Sequence, residues 1–168
     1  DKETGNLHAL CRALNNIGLS WKYKGDKKRS LKFFKESYKI SMGAGYNKGM
    51  ASALSNISNH YLEEGKNELA LEKGLEGEKL ATAIHSNNHL LNFYGLIAES
   101  YEKLNDFENS LNYYKKHFVL KDMIFSEESQ NKIFEMQVRY ESEKKEKETE
   151  IYRLKNEELK VLNSTKDK

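Results

Sequence analysis

Apolar side chains recur along this chain at the spacing of α-helices, and the whole pattern repeats every forty residues. Trp21, Tyr61 and Tyr101 occupy equivalent positions in three successive repeats. The same offset superimposes further apolar residues: Leu14, Leu54 and Tyr94; Ile17, Ile57 and Ile97; Leu31, Leu71 and Leu111. A fixed period of this length indicates stacked helical units that share one continuous core. The pattern therefore predicts an all-α solenoid of three antiparallel helix pairs followed by one long C-terminal helix.

Glycine and asparagine mark the predicted turns within the helix pairs. Gly25 and Gly65 end the first helix of their units, and Asn105 takes the same place in the third, because both residue types adopt the left-handed C-cap conformation. Asp26 is expected to cap the helix that follows Gly25. The predicted helices span about 7–24, 27–42, 47–64, 67–85, 89–104 and 107–124. They form a repeat array over residues 1–124, with units at about 7–43, 47–86 and 89–124.

Small residues predict where two helices approach each other closely. Gly18, Ser58 and Ala98 occupy equivalent positions at which the first helix of a pair meets the second. Gly74 and Gly77 lie inside a predicted helix, where a glycine costs about 1 kcal/mol relative to alanine. We therefore expect that helix to be either the weakest or the most closely approached one.

The spacing of these residues resembles that of the tetratricopeptide repeat. In the first unit the matching positions are Leu14, Ile17, Gly18 and Trp21, followed in the second helix by Ser30, Phe34 and Ser37. The standard unit has 34 residues, whereas the units of this chain have forty, with the extra residues in the second helix and the loop after it. The resemblance covers about 7–124 and implies a protein- or peptide-binding scaffold, with Trp21 and its equivalents in the core.

In tetratricopeptide arrays the exposed positions of the first helices line a concave, ligand-binding surface. In this chain those positions are Arg12, Asn15, Asn16, Leu19, Lys22, Tyr23, Ser52, Ser55, Asn59, Leu62, Asn92, Glu99 and Glu102. A row of asparagines is suited to an extended peptide, since each side-chain amide both donates and accepts hydrogen bonds. The alternative is that asparagine is simply common in this chain. The carboxylate clamp of chaperone-binding members needs a lysine at the position of Asn15, so that subtype is not expected.

The pattern changes after Asp122. Ser126 is expected to cap a new helix, which makes residues 125–162 a capping or linker helix and residues 163–168 a disordered tail. A partial heptad gives this helix an apolar seam for self-association, formed by Ile133, Tyr140, Ile151, Leu154 and Val161. Lys144 and Lys147 interrupt the seam. A solvated single helix and a weak parallel coiled coil therefore both remain open, with any homodimer expected to be weak.

The stretch from Phe125 to Leu159 carries a second resemblance, to the linker helix that follows the tetratricopeptide array in bacterial signalling proteins. In those proteins a membrane span often follows, and then a histidine kinase, a cyclase or a DNA-binding output domain. The chain opens with DKETGN and has no initiator methionine, so we expect it to be part of a longer protein. It would then act in the cytoplasm, or in the periplasm if the parent protein is a membrane-anchored sensor.

Composition and motifs give no sign of catalysis. The net charge is +2, which does not indicate nucleic-acid binding, and no segment has the signature of a membrane span. The single Cys11 excludes an internal disulfide. His85 and His89 are four residues apart, but Ser86-Asn87-Asn88 between them predicts a loop, so we expect surface histidines rather than a metal site. No phosphate-binding, dinucleotide-binding or nucleophile-elbow motif occurs, so neither enzymatic activity nor a cofactor is expected.

Three functions are compatible with these observations. The first is a non-catalytic scaffold that binds a protein or peptide and forms the sensory or assembly region of a bacterial signal-transduction protein. The second is a stand-alone adaptor for complex assembly, in which the C-terminal helix only caps or dimerises the array. The third is a peptide-responsive regulator of an enzyme or transcription factor. That class normally has a larger array and an N-terminal helical bundle.

Overall fold

The computed structural model describes the backbone of residues 2–166 and the side chains of residues 5–158. The predicted all-α architecture is confirmed. Six helices follow one another: α1 (Lys2–Tyr23), α2 (Lys27–Gly43), α3 (Asn47–Glu63), α4 (Asn67–Ala83), α5 (Asn87–Lys103) and α6 (Phe107–Lys166). Residues 1–122 and 123–168 form two compact units, although α6 runs through both. No helix in the described part of the chain is long and apolar enough to cross a bilayer.

The structure corrects two predicted helix boundaries. The expected cap at Ser126 is wrong, because α6 is continuous from Phe107 to Lys166 and Ser126 lies within it. The loop expected at residues 86–88 is shorter than predicted, since α5 begins at Asn87. Residues 163–166 of the expected tail have helical backbone, whereas 167 and 168 lie outside the described residues.

All five connections between helices are the same turn, repeated every twenty residues. The second residue after each helix end is left-handed, with φ between 51° and 80°: Gly25, Gly45, Gly65, His85 and Asn105. In each turn two backbone N–H groups bond back to the last helical turn, as in Asp26 N–H to Trp21 O at 3.0 Å and Ser86 N–H to Ala81 O at 3.0 Å. This is the Schellman arrangement. The turns within and between helix pairs are therefore equivalent, and the helices that lie between two such turns, α2 to α5, each have 17 residues.

The core lies between successive helices of the array, and glycines make room for its large side chains. Ala51, Leu54, Phe93 and Ile97 are buried together. An added Cβ at Gly77 would overlap the Phe93 ring, and one at Gly74 would lie 2.8 Å from Ile97. Side chains of α5 therefore approach the α4 backbone closely at both glycines, which fits the second of the two predicted explanations.

The predicted contact of Gly18 with the second helix of its pair is also confirmed. A Cβ at Gly18 would lie 2.5 Å from the Phe34 ring, which is 1% exposed. At the equivalent position Ser58 donates a hydrogen bond to Ala70 O at 2.8 Å. Trp21 was expected to lie in the core, but its side chain is only half-buried. The Arg29 guanidinium lies 4.4 Å from the centroid of the Trp21 ring.

Candidate functional site

The odd-numbered helices form one continuous layer of the array. Helix α3 packs against both α1 and α5, in addition to its even-numbered neighbours α2 and α4. In a stack of helix pairs, the layer whose helices touch across repeats is the more tightly spaced one and therefore the concave one. The candidate site is this surface, which we call the inner layer.

The structure places most of the predicted ligand-binding residues at the surface of the inner layer. The exposed ones are Arg12, Asn16, Tyr23, Asn92, Glu99 and Glu102. The half-buried ones are Leu19, Lys22, Ser52, Ser55 and Asn59. The half-buried members at the centre, on α3, are all uncharged and polar, and their partial burial follows from having α1 on one side and α5 on the other.

Two predicted surface residues are not at the surface. Asn15 is only 7% exposed, and Leu62 is 9% exposed. The Asn56 amide donates to Asn15 Oδ1 at 3.5 Å, a long hydrogen bond that joins α3 to α1. Asn15 therefore contributes to packing between repeats, because its side chain is buried and contacts α3.

Further polar contacts hold the odd-numbered helices in register. The Lys22 ammonium lies 2.7 Å from a Glu63 carboxylate oxygen, so this predicted site residue already has a partner on α3. His89 contacts two hydroxyls, with Nε2 3.1 Å from Ser52 Oγ on α3 and Nδ1 2.8 Å from Ser86 Oγ at the start of α5. Ser52 is thus another predicted ligand contact that bridges two helices.

His89 was expected to be a surface histidine at a helix end, but it lies half-buried in the first turn of α5. Burial, and to a lesser extent the charge of Lys48, lowers the pKa of His89, so the imidazole is neutral at pH 7. A neutral imidazole can donate from one nitrogen and accept at the other, and each serine hydroxyl can take either role. His85 instead occupies the left-handed turn position between α4 and α5.

Charge is distributed unevenly along the inner layer. Helix α1 contributes Arg12 and Lys22, whereas α5 contributes Glu99 and Glu102. Glu102 also accepts a hydrogen bond from the Tyr114 hydroxyl at 3.0 Å. Among the described residues no group of three or more His, Cys, Asp or Glu side chains is arranged to hold a metal ion. What the surface offers a ligand is a polar centre with basic and acidic ends.

The second unit is described over residues 123–166, which are a single stretch of α6 with exposed apolar side chains. Of the predicted seam, Ile133, Tyr140, Ile151 and Leu154 are each more than half exposed. The side chain of Val161 lies outside the described residues. Tyr140, Lys144, Lys147 and Ile151 line one shallow depression, so the two lysines share a face with the apolar seam.

Sequence reasoning missed the contacts that join neighbouring repeats. Asn56, Glu63 and His89 were not predicted to connect helices, because a repeat pattern identifies equivalent positions but not which side chains meet across them. The forty-residue offset does carry a signal. Lys22 and Glu63 have opposite charges at adjacent register positions of successive units, which fits an ion pair between α1 and α3.

Comparison with known proteins supports the fold alone. The chain resembles the crystal structure of the tetratricopeptide repeat domain of Arabidopsis FLU, with a TM-score of 0.65 and 14% sequence identity. The match covers 70% of this chain and 98% of the FLU domain. No family model matches the sequence, and no curated protein matches it. At this identity the likeness confirms a tetratricopeptide-like helical solenoid.

Proposed function

We propose that the chain is a non-catalytic scaffold whose inner layer binds an extended protein or peptide segment. The observation that carries this proposal is the uncharged polar centre of the layer, where Ser55 and Asn59 on α3 are half-buried between two flanking helices. Side chains in such a position are partly desolvated and already ordered, so a ligand that hydrogen-bonds to them loses less entropy than it would on a flat surface.

The charge distribution favours one orientation of the ligand. Arg12 on α1 favours an acidic side chain or a terminal carboxylate, whereas Glu99 on α5 favours a basic side chain. The segment between these ends would use its backbone amides, because asparagine and serine can satisfy both N–H and C=O groups. The preferred ligand is therefore an extended segment with opposite charges near its two ends.

A displayed combinatorial peptide library, selected against the 168-residue chain, tests this proposal. The enriched peptides should carry an acidic and a basic residue separated by a spacer. The double variant Asn16→Ala with Asn59→Ala should weaken their binding about tenfold or more, which corresponds to the loss of one or two hydrogen bonds. Asn112→Ala is the control, since Asn112 is an exposed asparagine like Asn16 but lies on α6.

Charge-reversed variants test the orientation separately from the hydrogen bonds. Arg12→Glu should abolish the selection for acidic residues, and Glu99→Lys should abolish the selection for basic ones. Equal binding by the asparagine variant and its control would show that peptides are not bound through the inner layer. Enrichment that ignores both charge reversals would retain the peptide site but reject the proposed orientation.

We further propose that this scaffold is the sensory or assembly region of a larger bacterial signal-transduction protein. The support is α6, which contributes Tyr113 and Leu120 to the packing of the array and then continues without interruption to Lys166. A continuous hydrogen-bonded helix can pass a small displacement from a binding domain to whatever follows it.

Replacing residues 126–128 with three glycines should leave peptide binding intact and abolish signal output in the parent protein, whereas unchanged output would favour a stand-alone adaptor.

A further inference from the structure

Helix α1 carries an apolar face that later repeats bury. Ile17 is 40% exposed, whereas its equivalents Ile57 and Ile97 are 4% and 0% exposed. Leu10 is 44% exposed, whereas Met50 and Leu90 at the same position are half-buried. The difference lies in the neighbours. Helices α3 and α5 each pack against the even-numbered helix that precedes them, and nothing among the described residues takes that place beside α1.

The part of α6 within the array carries the complementary face. Leu111 is 54% exposed, whereas Leu31 and Leu71 at the same position are half-buried because α2 and α4 are covered by the following odd-numbered helix. Phe107 and Phe118 lie one turn before and two turns after Leu111 and are 64% and 58% exposed. The two open faces are thus the two halves of an interface that the array already forms twice, α2 with α3 and α4 with α5.

The contacts of the existing interface can be carried onto the open faces by the repeat offset. The Lys35 ammonium lies 5.9 Å from the Tyr61 ring centroid across α2 and α3. The equivalent residues on the open faces are Lys115 on α6 and Trp21 on α1, so the same cation–π pair can form.

At one corner of the interface the chemistry changes on both sides together. Lys27 at the start of α2 pairs with Glu64 at the end of α3, with Nζ 2.9 Å from the carboxylate, and its Nζ also donates to Glu63 O at 3.4 Å. The equivalents of Lys27 and Glu63 are Phe107 and Tyr23, two aromatic residues that are 64% and 87% exposed. The ion-pair partner Glu64 corresponds to Lys24, so the ion pair of the interior interface becomes an aromatic ring opposite a lysine, beside the exposed Tyr23.

We propose that the α6 face of one copy of this chain docks on the α1 face of a second copy. The contact is heterologous, because each copy uses a different face, so association is head-to-tail and does not stop at a dimer unless the chain of copies closes into a ring. Docking extends the inner layer, since α1 of the second copy takes the position after α5 of the first. A longer groove than three repeats results, with the basic end of one copy beside the acidic end of the next.

Two variants that each destroy one face test this arrangement. The first carries Leu10→Glu and Ile17→Glu on the α1 face, and the second carries Leu111→Glu and Phe118→Glu on the α6 face. Because these side chains are already exposed, both variants should still fold, and circular dichroism is the check on their helix content. All chains also carry Leu154→Glu, so that pairing along the C-terminal seam does not contribute.

Sedimentation velocity is the measurement. The chain that carries only Leu154→Glu should form species larger than dimers as its concentration rises. In each face variant alone, the affinity of this association should fall by about tenfold or more. An equimolar mixture of the two variants should form a one-to-one dimer, since each supplies the face that the other lacks. A monomeric parent chain would overturn the proposal. So would a mixture that stays monomeric, or an α1-face variant that dimerises by itself, which would instead indicate a symmetric contact or a different occupant.

Site-specific cross-linking gives an independent readout. The native Cys11 is 0% exposed, so a cysteine introduced at the surface reacts selectively. Chains with Tyr23→Cys and chains with Phe107→Cys should form disulfides with each other several-fold faster than either does with itself. Met42→Cys, at another exposed position, should give only the background rate with both. Equal rates in all pairings would contradict the proposed docking.

Discussion

Replacing Ser30 and Ser41 with alanine should stabilise this protein. Both serines lie on α2, both are 0% exposed, and neither hydroxyl has a hydrogen-bond partner within the described part of the chain. The second repeat shows that alanine fits. The equivalent residues Ala70 and Ala81 are also 0% exposed in the same fold. A buried hydroxyl without a partner lowers stability because it has lost its hydrogen bonds to water.

The magnitude follows from the buried hydroxyls and the helical positions. Removing an unpaired buried hydroxyl should contribute about 1 kcal/mol to the free energy of unfolding, and the higher helix propensity of alanine adds roughly 0.5 kcal/mol. Eleven residues at 1.5 Å per residue separate Ser30 from Ser41 by roughly 16 Å along the helix, so the two effects should be additive. The double variant should therefore gain about 2–3 kcal/mol.

Ser37 provides a matched control on the same helix. It is also 0% exposed, but its hydroxyl donates to Cys11 O at 2.8 Å. Ser37→Ala should lower the free energy of unfolding by about 0.5–1.5 kcal/mol, because the buried hydrogen bond from the Ser37 hydroxyl to Cys11 O is lost.

Urea denaturation followed by circular dichroism measures all four variants, and the slope of the free energy against urea must stay constant for the comparison to hold. A loss of stability in Ser30→Ala as large as that in Ser37→Ala would refute the reasoning. It would mean that the Ser30 hydroxyl is satisfied after all.

Four further changes test other parts of the structure. His85→Gly should raise the free energy of unfolding by about 0.5–1 kcal/mol, because His85 has φ 51° and glycine adopts that conformation without strain. Gly77→Ala should lower it by about 1–3 kcal/mol through overlap with the Phe93 ring, whereas Gly43→Ala, which meets nothing within 4 Å, should have no such effect. Burial lowers the pKa of His60 and of His89 below 6.5. The free energy of unfolding should therefore be constant with respect to these groups above about pH 6.5 and decrease below it, where the unfolded chain binds more protons. His60→Gln should flatten that pH dependence in equilibrium unfolding. Lys144→Leu with Lys147→Leu should make the C-terminal seam dimerise much more tightly in sedimentation experiments, and a variant that stays monomeric would show that pairing does not follow this seam.

The repeat made the architecture predictable from sequence because it tests each assignment three times. Gly25, Gly65 and Asn105 were assigned to turns on one mechanism, and all three have positive φ. His85 in the same role was missed, since histidine has no strong turn preference, although the twenty-residue spacing from Gly65 and Asn105 marks the position. The spacing of turns was the more informative signal, and the residue type the less informative one.

Burial of individual polar residues was less predictable, because it depends on neighbouring repeats rather than on register. Asn15 and Asn16 are adjacent asparagines on one helix, yet only Asn16 is exposed. Similarly, Ser126 has the residue type of a helix cap, but capping requires the preceding helix to stop, and no glycine or asparagine turn precedes it. A local signal was outweighed by continuous helix propensity on both sides.

Comparison among the repeats also separates packing from recognition. At the position occupied by Ile17, Ile57 and Ile97 the residue is the same in all three units, and in the second and third units it is buried in the core. Two residues later, on the inner layer, the equivalent residues are Leu19, Asn59 and Glu99, which are apolar, polar and acidic. The fold does not require this variation, since all three positions lie on equivalent helices with equivalent turns. A surface that changes chemistry from unit to unit while the underlying scaffold stays constant is what a directional ligand needs, because each unit then contacts a different part of it. That contrast supports a ligand with two distinct ends over a uniform, non-specific contact surface.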